Sequence, residues 1–184
     1  MKVRHANMAV EKFGLIFVSQ KLDIIEPREE TPDDIVVEKA LQAIKILKKP
    51  LVVEDSGIFI ESLNGFPKTF IHFVESTIGI NNLLKMMEGV KNRKAEFRQS
   101  LAYIKPGMKK PIVFSYIDGG YTLADKAWIP KYEYTGEFDR ILIPPGENKP
   151  LCMFSKEWRA KRDVDANQET IHYRQLADYL TSIS

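Results

Sequence analysis

Apolar positions recur at two different periods along the chain, and the changes between them mark out the elements. Val3, Ala6, Val10 and Phe13 are spaced for one face of a helix over residues 2–13, with Gly14 placed to stop it. The run LIFVS at 15–19 has the length and composition of a strand. Residues 26–34 are polar and hold two prolines, and Thr31-Pro32 followed by two acids has the chemistry of a helix start. Val37, Ala40, Leu41, Ile44 and Leu47 then form a helical stripe that ends before Pro50. PLVVEDSG, residues 50–57, reads as a strand running into a turn. Ile80, Leu83, Leu84 and Met87 make a further stripe, closed by Gly89.

The second half turns to strands. AEFRQSLAYI (95–104), PIVFSYI (111–117) and GYTLA (120–124) are rich in β-formers, and KPGMKK and DGG between them predict hairpin turns. FDRILIPPG (138–146) predicts another strand, and residues 170–181 a closing helix. This order predicts an α/β or α+β fold with a partly antiparallel sheet. No internal repeat or linker interrupts it.

Composition narrows the picture. A chain of 184 residues with 44% hydrophobic and 28% charged side chains can bury one substantial core. The formal charge of +2 makes no electrostatic case for nucleic acid or a membrane surface. A single cysteine, Cys152, excludes an internal disulfide and fits a reducing, cytoplasmic setting. No apolar run approaches the roughly 20 residues that span a bilayer. The first residues lack the apolar stretch of a secretory signal.

The chemistry concentrates at Glu54-Asp55-Ser56-Gly57. In α/β sheets ligands gather beyond the carboxyl ends of strands, and a carboxylate there can hold Mg²⁺ or orient and deprotonate water at a phosphate. A solvent-facing turn, with Asp and Gly present for its geometry, is the competing reading. The acids Glu26, Glu29, Glu30, Asp33 and Asp34 read mainly as a solvated loop and a complement to the helix dipole, with Glu30 the member set apart as a metal ligand. Lys39, off the apolar stripe of its helix, is within reach of a phosphate in principle. The basic stretch 91–99 reads as a solvated edge rather than a nucleic-acid surface. His5, His72 and His172 are too scattered to form a metal cluster, and no Gly-rich phosphate loop is present. Cys152, in an apolar stretch, reads as core.

Taken in order, EKALQAIKILKKPLVVEDSGIFIESLNGFP, TIGINNLLKMMEG, NRKAEF and FDRILIP resemble the Ham1 family of inosine/xanthosine triphosphate pyrophosphatases in its archaeal form. The resemblance implies a single ITPase-like α/β domain over 1–184: a long mixed β-sheet with flanking helices, in two lobes around a central cleft. It implies hydrolysis of non-canonical purine nucleoside triphosphates (ITP, dITP, XTP) to the monophosphate and pyrophosphate with Mg²⁺, by a cytoplasmic homodimer. Asp55 would be the catalytic carboxylate. Glu54, Asp55 and Glu30 would hold the metal. Lys2, Lys39, Ser56, Phe138 and Asp139 would bind substrate, with Phe138 stacking on the base.

The chain also departs from that pattern. The family's first strand and its T-x-N phosphate loop have no counterpart, Lys2 aligns with the lysine that follows the loop, and His5 stands where a metal-binding glutamate is expected. No S-H-R motif precedes the last helix, although His172 and Arg174 lie within it. Arg159 replaces a lysine, and Lys68 and Arg140 replace a glycine and a proline. The start of the natural chain upstream of Met1, or divergence with repacking, are the two expectations that follow. A non-catalytic nucleotide-binding or scaffold homologue is the alternative function.

Overall fold

The computed structural model describes Val3, Ala6, Asn7, residues 10–165 and residues 171–183. Among these the order is α1 (Pro32–Leu47), β1 (Leu51–Ile60), β2 (Pro67–Lys68), α2 (Ile71–Thr77), α3 (Ile80–Met86), β3 (Lys94–Ile104), β4 (Ile112–Leu123), β5 (Leu142–Ile143), α4 (Lys156–Asp165) and α5 (Ile171–Ser182). The five strands form one sheet in the order β2-β1-β3-β4-β5. Both edge pairs are antiparallel, with Ile58 opposite Lys68 and Thr122 opposite Ile143. The expected α/β class with an antiparallel component is therefore present.

The chain divides into two compact units. The first is Met1–Ser56, Gln99–Tyr116 and Asp163–Ser184; the second is Gly57–Arg98 and Ile117–Arg162. The first unit has two apolar clusters. In one, Ala6, Val10, Leu101, Tyr103, Tyr173 and Leu176 pack with Leu15, Phe17 and Val52. In the other, Val36 and Ala40 of α1 pack with Ala102, Ile104, Leu51 and Val53. The second unit has its own core, centred on Ile58, Ile60, Leu83, Met87, Leu123, Ile141 and Leu142. Each fully buried aliphatic side chain of this kind stabilises by roughly 1.5–3 kcal/mol before conformational entropy is subtracted.

Local chemistry accounts for the elements that were legible. Thr31 caps α1 by accepting from Asp34 N at 3.2 Å, with Pro32 in the first turn, and Lys48 ends the helix in a left-handed conformation at φ 50°. Its buried face is Val36, Ala40 and Ala43 rather than one led by Val37. Gly14 takes φ 70° after the described helical residues Val3, Ala6, Asn7 and Val10.

Four expectations are corrected. LIFVS is not a strand: Leu15 and Phe17 point into the core while Ile16 and Val18 are exposed, and the Asn7 side-chain amide, not a neighbouring strand, satisfies both Phe17 backbone groups at 2.6 and 3.1 Å. EDSG is not a turn: β1 continues through it to Ile60, because the apolar residues beyond it bury in the second core. DGG is not a hairpin: β4 runs on through it, Gly120 taking φ 82° inside the strand while Asp118 is buried against Tyr121. Residues 137–140 form a 3₁₀ turn, with Ile141 N donating to Phe138 O at 3.0 Å, leaving only Leu142–Ile143 as strand.

Candidate active site

A strand presents successive side chains on opposite faces. Because β1 continues through positions 54 and 55, the adjacent carboxylates of Glu54 and Asp55 part company. Asp55 follows Leu51 and Val53 onto the face covered by α1. Glu54 follows Val52 onto the face covered by α5, where the Tyr173 hydroxyl donates to Glu54 Oε2 at 2.7 Å. In this geometry the two acids do not converge on one point.

Around Asp55 the groups are well defined. Ser56 N donates to Asp55 Oδ1 at 2.7 Å. Lys39, projecting from α1, donates to Asp55 Oδ2 at 2.9 Å and to Glu26 Oε1 at 2.8 Å. The lysine and aspartate side chains are 15% and 17% exposed, whereas Glu26 is 67% exposed. Burial works to lower the Lys39 pKa, but hydrogen bonds and charge from Glu26 and Asp55 outweigh it, so the pKa is raised and the ammonium is secured. A shielded carboxylate thus sits beside a locked cation, with a more exposed acid on the cation's other side.

Glu30 is exposed on the loop before Thr31 and belongs to no described metal-ligating group. Lys2 and His5 lie outside the described residues. Ser56 contributes its backbone N–H. Phe138 and Asp139 belong to the second unit. Phe138 is 2% exposed and is part of that unit's apolar core. Asp139 is buried too, accepting from Thr135 N at 2.9 Å and from Arg159 Nη1 at 2.8 Å. His172 is fully buried on α5, while Cys152, also fully buried, has its thiol pKa pushed up by burial and is core.

Mg²⁺ is a hard cation that commonly takes one or two carboxylates together with substrate phosphates and water. Among the described residues no group of three or more His, Cys, Asp or Glu side chains gathers as a ready-made cage. The oxygen donors that do face a common cation are those of Asp55 and Glu26, on either side of Lys39. That donor set fits a magnesium ion carried in on a polyphosphate.

Sequence reasoning overlooked three groups. Glu26, read as part of a solvated acidic loop, instead accepts from Lys39 Nζ at 2.8 Å. Arg93, read as part of a solvated edge, instead donates to the carbonyls of Met87, Leu123 and Ala124 at 2.7–3.0 Å. Asp118, read as a turn residue, is 2% exposed and accepts from Tyr121 and from Arg162, the latter at 3.4 Å.

Comparisons with known proteins place these features in context. Residues 1–165 match the family model described as the Ham1 family. The chain is 34% identical over 160 residues to the dITP/XTP pyrophosphatase of Methanopyrus kandleri, covering 87% of this chain and 82% of that one. It is also 34% identical over 157 residues to the dITP/XTP pyrophosphatase of Pyrococcus horikoshii, covering 85% and 81%. The solved Ham1 protein of Staphylococcus aureus superposes with a TM-score of 0.73 at 20% identity, covering 100% of this chain and 94% of that one. A HAM1 protein from Coxiella burnetii gives 0.73 at 19% identity, covering 98% and 93%. These two structures bear on the fold alone.

Proposed function

The chain belongs to the Ham1 family, and from that premise we propose that it is a pyrophosphatase hydrolysing non-canonical purine nucleoside triphosphates, dITP and XTP among them, to the monophosphate and pyrophosphate. The observation that carries this reading is the Asp55–Lys39 pair at 2.9 Å, inside the stretch that resembles the family. Asp55 is the general base in this account. Ser56 N–H holds its Oδ1, leaving Oδ2 to orient a water and take its proton once Lys39 turns to the substrate. The water oxygen bonds to the α-phosphorus, the bond from that phosphorus to the α,β-bridging oxygen breaks, and pyrophosphate departs. Lys39 offsets polyphosphate charge, a contribution that is mainly positioning and electrostatics. Glu26 and Asp55, the oxygen donors on either side of Lys39, would hold Mg²⁺, which would supply further neutralisation of the phosphate oxygens when bound. In the same reading the working form is a homodimer, which sedimentation would check.

The test is pyrophosphate release from dITP and XTP with Mg²⁺, by wild type and Asp55→Asn. Turnover by the wild type that falls on the order of 10²–10⁴-fold in the variant supports the reading. Equal release by both proteins defeats the role of Asp55. Nucleotide-dependent thermal stabilisation without any turnover supports instead a non-catalytic nucleotide-binding homologue.

A further inference from the structure

We infer that one end of the first unit, where α1 closes, β1 begins and the β3–β4 hairpin turns, binds the phosphate backbone of a nucleic acid by charge and without regard to sequence. Six exposed lysines form the surface: Lys45, Lys48 and Lys49 on one segment, Lys105, Lys109 and Lys110 on the other.

The two segments are distant in the chain and meet through packing. Leu51, where β1 begins, and Ile104, where β3 ends, belong to one apolar cluster with Ile44 of α1. Met108 of the hairpin packs against the same cluster, and its backbone N–H closes the turn on Lys105 O at 3.1 Å. No acid offsets the lysines locally, because residues 40–53 and 100–117 contain neither Asp nor Glu. None of the six takes part in an ion pair among the described residues. They also stand apart from the site at Lys39: Lys45 lies six positions further along α1, about 9 Å along its axis.

The formal charge of +2 conceals this segregation. The chain has 27 basic and 25 acidic side chains; without these six lysines, 21 basic remain against 25 acidic, a net of −4. The dipole of α1, roughly half an elementary charge at its end, favours a cation in the last turn. It does not account for three more lysines on a hairpin. Lys48, moreover, closes α1 at φ 50°, in the left-handed region that glycine enters freely and a residue with a Cβ does not. A charge is kept there at the expense of backbone ease.

Composition selects the partner. Lysine is a compact point charge that binds phosphate oxygens. Neither segment contains arginine, so the fork that reads guanine is missing. Tyr103 and Phe114 pack inward and Tyr116 stacks with buried His172, which leaves no aromatic platform for a base. Across residues 45–50 and 105–110 the one exposed large hydrophobic is Ile46. A bilayer interface would call for a broader apolar face, and a protein partner for an apolar centre. Phosphates need only cations.

The test uses the full chain with fluorescein-labelled oligonucleotides of mixed sequence, a duplex DNA and a single-stranded RNA, followed by anisotropy as KCl is raised. Both should bind. For the duplex, affinity should fall with a log–log slope near −5, about 10³-fold between 50 and 200 mM salt. Lys45→Gln/Lys48→Gln/Lys49→Gln and Lys105→Gln/Lys109→Gln/Lys110→Gln should each lose roughly half of that slope. Lys91→Gln/Lys94→Gln, in the basic stretch read as a solvated edge, should keep it. Either triple variant decides the matter if its melting temperature matches the wild type. Absence of binding at the lowest salt, a slope shallower than about −1, or undiminished binding by the triple variants would overturn the inference. So would a preference of about tenfold or more between two duplexes of different sequence, or association with phosphatidylglycerol vesicles and not with the oligonucleotides.

Discussion

Lys39–Asp55 in the first unit and Arg162–Asp118 in the second are both shielded cation–carboxylate pairs, yet they are built for different ends. Asp118 is 3% exposed on its side chain and Arg162 is 16% exposed. The Tyr121 hydroxyl donates to Asp118 Oδ2 at 2.7 Å, and the Arg162 guanidinium lies 5.2 Å from the centre of the same tyrosine ring. Burial first, then the charge of Asp118, raise the tyrosine pKa, so that its proton stays in place. Such a constellation has no exchangeable member: arginine is always charged, and the acid has no route to water. Asp55 is five to six times more exposed on its side chain, at 17%, and its cation is a lysine shared with a solvent-facing acid. The contrast teaches how to separate a working carboxylate from a structural one: by whether its partner can leave.

Substitutions can break this contrast or sharpen it. The largest effect belongs to Asp55→Asn, with kcat down on the order of 10²–10⁴-fold and a melting temperature near that of the wild type. Comparable stability loss in that variant would erase the distinction between the two pairs. Asp118→Ala comes next, in the opposite currency. Leaving Arg162 without its buried partner is expected to cost about 3–5 kcal/mol, read by denaturant unfolding; a loss below about 1 kcal/mol would remove the claim that this pair is structural. Tyr173→Phe deletes the hydroxyl that holds Glu54 on the far face of β1 and should cost about 1 kcal/mol with dITP turnover retained. A collapse of turnover there would bring Glu54 back into the chemistry.

The smallest expected effect is a pH dependence. The Lys39 pKa is raised in the folded protein, so the folded state binds the extra proton between the unfolded value of about 10.4 and the higher folded one. The associated stability is fully present below the unfolded value and drains away as pH rises through that window. Wild type should therefore lose more stability than Lys39→Met on alkaline titration followed by denaturant unfolding. Parallel curves would mean that the pair contributes nothing to folding.

What could be read from the sequence follows from where the governing interactions lie. The start of α1 was legible because Thr31, Pro32 and Asp34 act within one turn of each other. The helix carrying Ile80, Leu83 and Leu84 was legible because its burial follows its own period. Glu54 and Asp55 were found as letters, but their placement on opposite faces depends on β1 continuing to Ile60, which distant partners in the second core decide. The same holds for β4, where Gly119 and Gly120 have turn chemistry yet strand pairing prevails. Phe17 shows the converse: a strand-like sequence whose backbone is satisfied by Asn7 rather than by a strand. Glu26 could not be singled out, because its partner Lys39 lies 13 positions away along the chain.

The most direct measurement is single-turnover hydrolysis of dITP in ¹⁸O-labelled water, with wild type and Asp55→Asn compared by mass spectrometry of both products. Label in the nucleoside monophosphate, unlabelled pyrophosphate, and neither product above background from the variant is the predicted result. Label in the pyrophosphate, or undiminished labelled monophosphate from Asp55→Asn, would contradict the account of a water aimed at the α-phosphorus by this carboxylate.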